Sequence, residues 1–307
     1  MYFIQRYLRI ILLVSLMSLS PFTHANSVAC FNSNIGNYCV ELFETQAPRT
    51  TTNFLEYINN GSYTNGIFHR SVPNFIVQAG GFRIANSDQG VSLAAVSKLP
   101  PIENEFKISN TRGTLAMAKV AGDPDSATSE WFINLNDNTE NLDNQNNGFS
   151  VFGRVIFDGM DVIDAIGNLP VTNLGGNLAN APTINYDGVQ LLASNLVQIN
   201  NIEVTEVSGI YSGGFLSFSV DAGSIGILDV SLQLIENSPN IVFELDPSSI
   251  TPIQTLPENG ATYSTLEGSL TIPSVMINAT TVVTNVLMKL TDANNFQFTL
   301  ISMEQTN

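Results

Sequence analysis

The sequence predicts a mainly β chain in two units: a closed barrel capped by two helices, then a second all-β unit of sandwich type. Three observations carry that expectation. Short apolar or alternating runs, bounded by Gly, Pro, Asn or Asp, recur from Val28 to Val204. Only two stretches show helical spacing of their apolar residues. Beyond about Thr205 the texture changes to β-branched residues alternating with polar ones, and no helical period stands out.

The first unit opens with a hairpin from Val28 to Phe43, turning at Ser33-Asn34-Ile35-Gly36. Pro48 starts an amphipathic helix whose Phe54, Leu55 and Ile58 share a face, and Gly61 offers its stop. Strand-like runs follow at Ile67-Phe68, Phe75 to Gln78, Thr114 to Ala118, Glu130 to Leu135 and Ser150 to Phe157. A second helix is expected from Gly159 to Gly167, on Met160, Val162, Ile163 and Ile166. A closing strand near Leu196 to Val204 completes the barrel. The second unit, residues 206–307, carries runs such as Phe215 to Val220 and Phe296 to Ile301.

Residues 1–25 have the pattern of a signal peptide. Arg6 and Arg9 make a positive start, Ile10 to Leu19 a short apolar stretch, and Thr23-His24-Ala25 a small-residue cleavage site. A membrane anchor would need about 20 apolar residues, and Ser15, Ser18, Ser20 and Pro21 interrupt this stretch early. The chain is therefore expected to be exported, to the periplasm or beyond the cell. The two cysteines, Cys30 and Cys39, flank the hairpin turn. Facing positions there can meet disulfide geometry in an oxidising compartment; two buried thiols are the alternative.

Composition narrows the functions. Acids outnumber bases 27 to 11, for a formal charge of −16, and beyond Arg154 the only basic residue is Lys289. Nucleic acid and anionic membranes would be repelled. With His24 lost to cleavage, His69 is the only mature histidine, so the usual zinc sets are not available. No Gly-x-Ser-x-Gly elbow, phosphate-binding loop or dinucleotide fingerprint occurs. The expected chemistry needs no metal, cofactor or covalent intermediate.

The informative stretch is Phe68-His69-Arg70-Ser71-Val72-Pro73-Asn74-Phe75-Ile76-Val77-Gln78-Ala79-Gly80-Gly81-Phe82. Three blocks follow in order: Gly113 to Ala118, Ser126 to Asn134, and Val151 to Val155 with Gly159-Met160. Together they resemble the cyclophilin family of peptidyl-prolyl cis/trans isomerases, over residues 28 to 204 of the 26–205 unit. The resemblance implies an eight-stranded antiparallel barrel with a helix at each end. It implies catalysis of X-Pro isomerisation without a cofactor, with proline-containing segments of client proteins as partners. By position, Arg70 matches the catalytic arginine and Gln78 the glutamine beside it. Phe75 and Phe132 match the aromatic walls of the proline pocket. Ile76 sits where the family often has methionine, and Leu142 matches the remaining apolar wall. Ala118 matches the residue lining the backbone-binding groove. Phe149, a further substrate-binding position by this resemblance, falls where many members have histidine or tyrosine. A binding module for proline segments, or an adhesive protein led by residues 206–307, are the competing readings.

Departures from the family pattern are also visible. Glu130 occupies a glutamine position, and is expected to pair with Arg70 while drawing off part of its charge. Lys119 alters the groove beside the pocket, and Asn141 replaces a common Trp or Phe. His69 is read as structural.

Overall fold

The computed structural model describes residues 26–86 and 91–305. The expected signal peptide, residues 1–25, lies outside the described residues. No helix among them is long and apolar enough to cross a membrane.

The chain is mainly β. The first sheet contains β1 (Asn26–Ser33), β2 (Asn37–Leu42), β3 (Gly66–Ile67), β4 (Arg70–Val72) and β5 (Ile76–Ala79). It continues with β6 (Phe82–Asn86), β7 (Ser92–Ala95), β8 (Thr114–Met117), β9 (Trp131–Asn134), β10 (Val151–Ile156) and β13 (Gln198–Val207). A small hairpin, β11 (Val171–Thr172) with β12 (Ala181–Pro182), stands apart. Among the described residues three α-helices accompany them: α1 (Pro48–Asn59), α2 (Thr139–Leu142) and α3 (Gly159–Gly167). Two of these were expected. The four-residue α2 was not, because one turn shows no period.

Neighbouring strands run β4-β5-β9-β8-β10-β2-β1-β13-β3. β3 and β4 are separated only by Phe68 and His69. The Phe68 amide donates to Val197 at 3.0 Å and the His69 amide to Gln78 at 3.1 Å, so this bend is bonded to the β13 side through Phe68 and to β5 through His69. Strand alternation then divides the side chains. Val77, Ala79, Leu115, Met117, Trp131 and Ile133 point into the main core, where α1 and α3 also pack. Their alternates Ile76, Ala116 and Phe132 gather on the opposite face. The fully buried Trp131 sits edge-on to Phe31, Phe54 and Phe68, at 5.4, 6.1 and 5.6 Å. Edge-to-face rings add stabilisation beyond their buried area.

The hairpin register places Cys30 directly opposite Cys39, and the two form a disulfide. Closing a loop of this length is worth about 2–4 kcal/mol through the unfolded chain. Replacing both cysteines by alanine should lower the urea midpoint accordingly; an unchanged midpoint would contradict this.

β13 continues to Val207, two residues past the unit boundary expected after residue 205. After it come β14 (Gly209–Ser212), β15 (Phe215–Asp221), β16 (Ile227–Glu236), β17 (Val242–Leu245) and β18 (Thr251–Pro252). β19 (Ala261–Ser264), β20 (Ser269–Asn278), β21 (Thr281–Asp292) and β22 (Gln297–Gln305) complete the chain. The sandwich expected here is corrected. Pairings run β15-β16-β17-β22-β21-β20-β19 and return to β15, a closed seven-strand barrel. Its interior is filled by side chains such as Phe218, Leu232, Phe243, Ile272, Val286 and Met288, as a small barrel requires. Alternating sequence suits either architecture. The parallel closure of β15 on β19 joins strands distant in sequence, and no local pattern records it.

The two sheets meet through Val28, Cys39, Ile156 and Val207 on one side and Ile210 and Met276 on the other. A polar cavity of about 220 Å³ also lies between them, bordered by Glu41, Arg154, Asp229 and Ser249.

Candidate active site

The site begins with a tight turn. In Val72-Pro73-Asn74-Phe75, Pro73 supplies a fixed φ, Asn74 takes φ +59°, and the Phe75 amide donates to the Val72 carbonyl at 3.0 Å. Proline and then asparagine at these positions suit a turn that needs positive φ at its third residue. The turn sets the register of β4 on β5, so that Arg70 faces Gln78. The Arg70 Nη1 donates to the Gln78 Oε1 at 3.1 Å.

β5 lies on β9 with Gln78 opposite Phe132, and β9 lies on β8 with Phe132 opposite Ala116. The row beside Arg70 is therefore apolar. Ile76, Phe132 and Leu142 are 4%, 2% and 6% exposed and form the floor of one cluster. Phe75, Ala118 and Phe149 pack on it with part of their surface open. Phe149 meets Phe132 edge-on at 5.8 Å. Thus the structure brings Phe75, Ile76, Ala118, Phe132, Leu142 and Phe149 into one cluster. A cavity of about 400 Å³ runs from Phe75 along Asp137 to Asn141.

Polar residues that sequence reading missed hold this arrangement. Asn138 Nδ2 donates to the Phe75 carbonyl at 2.9 Å and to Asn134 Oδ1 at 2.7 Å. The Leu135 amide reaches the same Phe75 carbonyl at 2.8 Å. Asn134 is itself buried and bonded to Thr114 Oγ1 at 2.8 Å. Such buried amides are stable only when paired. Nothing in their local sequence distinguishes them from the many surface asparagines.

Lys119, expected in the groove, turns onto the neighbouring loop. Its Nζ donates to the Asn146 and Gly148 carbonyls and stands 4.8 Å from the Phe149 ring centre. Burial lowers its pKa, opposed by Asp125. It braces Phe149 through a cation–π contact.

The expected Arg70–Glu130 pair is corrected. Glu130 Oε2 accepts from Gln78 Nε2 at 2.7 Å and lies 3.2 Å from His69 Nε2, so Arg70 reaches Glu130 through Gln78. The reason is register: Gln78 faces Arg70 on one side and Phe132 of β9, the strand that begins just after Glu130, on the other, and so stands between the two charges. The His69 hydrogen bond is the main cause holding the Glu130 carboxyl below its ordinary range; burial opposes it, and Gln78 and Lys98 assist. Burial lowers the Arg70 pKa and Glu130 offsets this; a guanidinium nevertheless remains charged. His69, read as structural, is thus bonded to the polar side of the site.

Arg70 and Gln78 thus stand beside an aromatic-floored apolar cluster on one β sheet. Residues 29–187 match the family model described as cyclophilin type peptidyl-prolyl cis-trans isomerase/CLD, and the chain belongs to that family and is a peptidyl-prolyl cis-trans isomerase. It is 39% identical over 170 residues to a peptidyl-prolyl cis-trans isomerase of Acinetobacter baylyi, covering 54% of this chain and 86% of that one. It is 42% identical over 144 residues to peptidyl-prolyl cis-trans isomerase B of Escherichia coli, covering 44% and 81%. A solved cyclophilin type isomerase from Cryptosporidium parvum aligns over 60% of this chain and 99% of that one, at 22% identity and a TM-score of 0.42. The seven-strand barrel that begins at β15 lies outside the 29–187 match.

Proposed function

We propose that residues 26–205 accelerate X-Pro isomerisation by holding the proline ring on the apolar cluster and presenting the Arg70 guanidinium to the imide nitrogen. The peptide bond is planar through resonance, with a barrier of about 18–20 kcal/mol. X-Pro bonds populate both isomers yet exchange over tens to hundreds of seconds. At the twisted transition state the nitrogen loses conjugation and its lone pair can accept a hydrogen bond. A charged donor placed there stabilises the twisted form more than either planar form, which is what lowers the barrier. No proton needs to move. Phe75, Phe132, Ile76 and Leu142 take the ring, while Ala118 and Phe149 border the flanking peptide.

One observation carries this reading: Arg70 is held by Gln78 in the strand row that also contains Phe132. Exchange NMR on an Ala-Pro peptide with the chain from residue 26 tests it. Added protein should broaden and exchange the cis and trans signals; unchanged exchange would overturn it.

We read the first sheet as the eight-stranded barrel of the family, with β3 and β4 as halves of one strand bent at Phe68 and His69. Residues 206–307 form a second unit. The clients are proline-containing segments of exported proteins in the periplasm or outside the cell. The basic-then-apolar start of the chain and the Cys30–Cys39 disulfide support that placement.

A further inference from the structure

We propose that His69 and Glu130 are positioning residues, which together fix which end of the Gln78 amide faces Arg70. The inference rests on the role assigned to Arg70 above. Arg70 only donates, so it needs an acceptor; an ionised Glu130 only accepts, so it needs a donor. Gln78 stands between them, and one orientation of its amide satisfies both: oxygen toward Arg70 at 3.1 Å, nitrogen toward Glu130 at 2.7 Å. The reversed amide would set NH₂ against guanidinium and oxygen against carboxylate. A glutamine at position 130 could present either of its own ends and would not force the choice. The carboxylate gives the chain of bonds a single direction.

His69 secures the carboxylate from behind. It is 3% exposed, and its Nε2 lies 3.2 Å from the same Oε2 that Gln78 reaches. Its Nδ1 is buried without a hydrogen-bond partner. The tautomer with hydrogen on Nε2 donates to Glu130 and leaves only a lone pair at Nδ1, whereas a hydrogen on Nδ1 would be stranded. The ring is fixed edge-on to Phe82 at 5.3 Å. Gly81 makes room for the pair: a Cβ there would stand 3.1 Å from His69 Cε1 and 3.2 Å from Glu130 Cδ. The Glu130 backbone is also held, its carbonyl accepting from the Ala118 amide at 2.9 Å, while Tyr63 Oη donates to the preceding Ser129 carbonyl at 2.7 Å.

The charged and titratable groups acting on Glu130 are His69 beside β4, Arg70 on β4, Lys98 after β7 and Tyr63 after α1. The bond from His69 is the largest cause of its lowered pKa. The carboxylate is therefore charged at neutral pH, and the bonds to it are lost as pH falls through a value below the ordinary carboxylate range. Removing the His69 donor should move that titration upward.

The test uses the chain from residue 26, exchange NMR on an Ala-Pro peptide, and titration of the ¹³C-labelled Glu130 carboxyl. His69→Phe should lower kcat/KM about tenfold, chiefly in kcat, with KM within about twofold. The Glu130 titration should move to higher pH. His69→Gln, whose amide nitrogen reaches to the Nε2 position, should restore most of the rate. Wild-type rate in His69→Phe, or equal loss in His69→Gln, would overturn the proposal. If thermal melting shows that His69→Phe does not fold, Glu130→Ala decides: about tenfold loss supports the proposal and wild-type rate overturns it. Wild-type rate in Arg70→Ala would instead overturn the reading of Arg70 itself, whatever His69 does.

Discussion

Arg70→Ala should reduce kcat/KM by about 10²–10³-fold, the scale seen when one preorganised donor to a transition state is removed. The loss should fall on kcat, because a planar ground-state imide nitrogen is a poor acceptor and gains little from the guanidinium. Peptide affinity should stay within about threefold, since it comes from the ring on Phe75, Phe132 and Leu142. The fold should be spared: Arg70 is only partly buried, and Gln78 keeps its bond to Glu130. Arg70→Lys should recover little, because a lysine cannot hold Gln78 and the imide with the fixed fork of a guanidinium. Parallel loss of affinity and rate would show that Arg70 acts in binding alone.

Gly80→Ala should be the most damaging small substitution near the site. Gly80 has φ +82°, a region costly to residues with a Cβ. An added Cβ would also collide with the Ser129 carbonyl oxygen and stand 3.0 Å from the buried Trp131 ring. Backbone strain of about 1–2 kcal/mol adds to about 1–3 kcal/mol of overpacking. Because the collision is with backbone, β9 must shift, and Glu130 and Phe132 move with it. Denaturant melts should show a loss of about 2–5 kcal/mol, with activity falling further than stability alone explains. A melt like the wild type's would contradict the close approach.

Much of the site is legible in the sequence because it is local. The Phe68 to Phe82 block contains its own turn, and the turn sets the register that faces Arg70 with Gln78. Period-two alternation separates Phe132 from Trp131 and Ile133 without any knowledge of the fold. What escapes is set by partners far along the chain. Glu130 and Gln78 are 52 residues apart, and only the pairing of β5 with β9 puts Gln78 between Glu130 and Arg70. Asn138 supports Phe75 from 63 residues away. The seven-strand barrel fails for the same reason, since β15 closes on β19 through strands whose alternation is equally suited to a sandwich.

The most direct test of the account is a structure of the chain bound to an Ala-Pro-containing peptide. The proline ring should lie on Phe132 between Phe75 and Leu142, with an Arg70 nitrogen within about 3.5 Å of the imide nitrogen. A peptide seated on this cluster with the guanidinium turned away, or seated elsewhere on the chain, would contradict it.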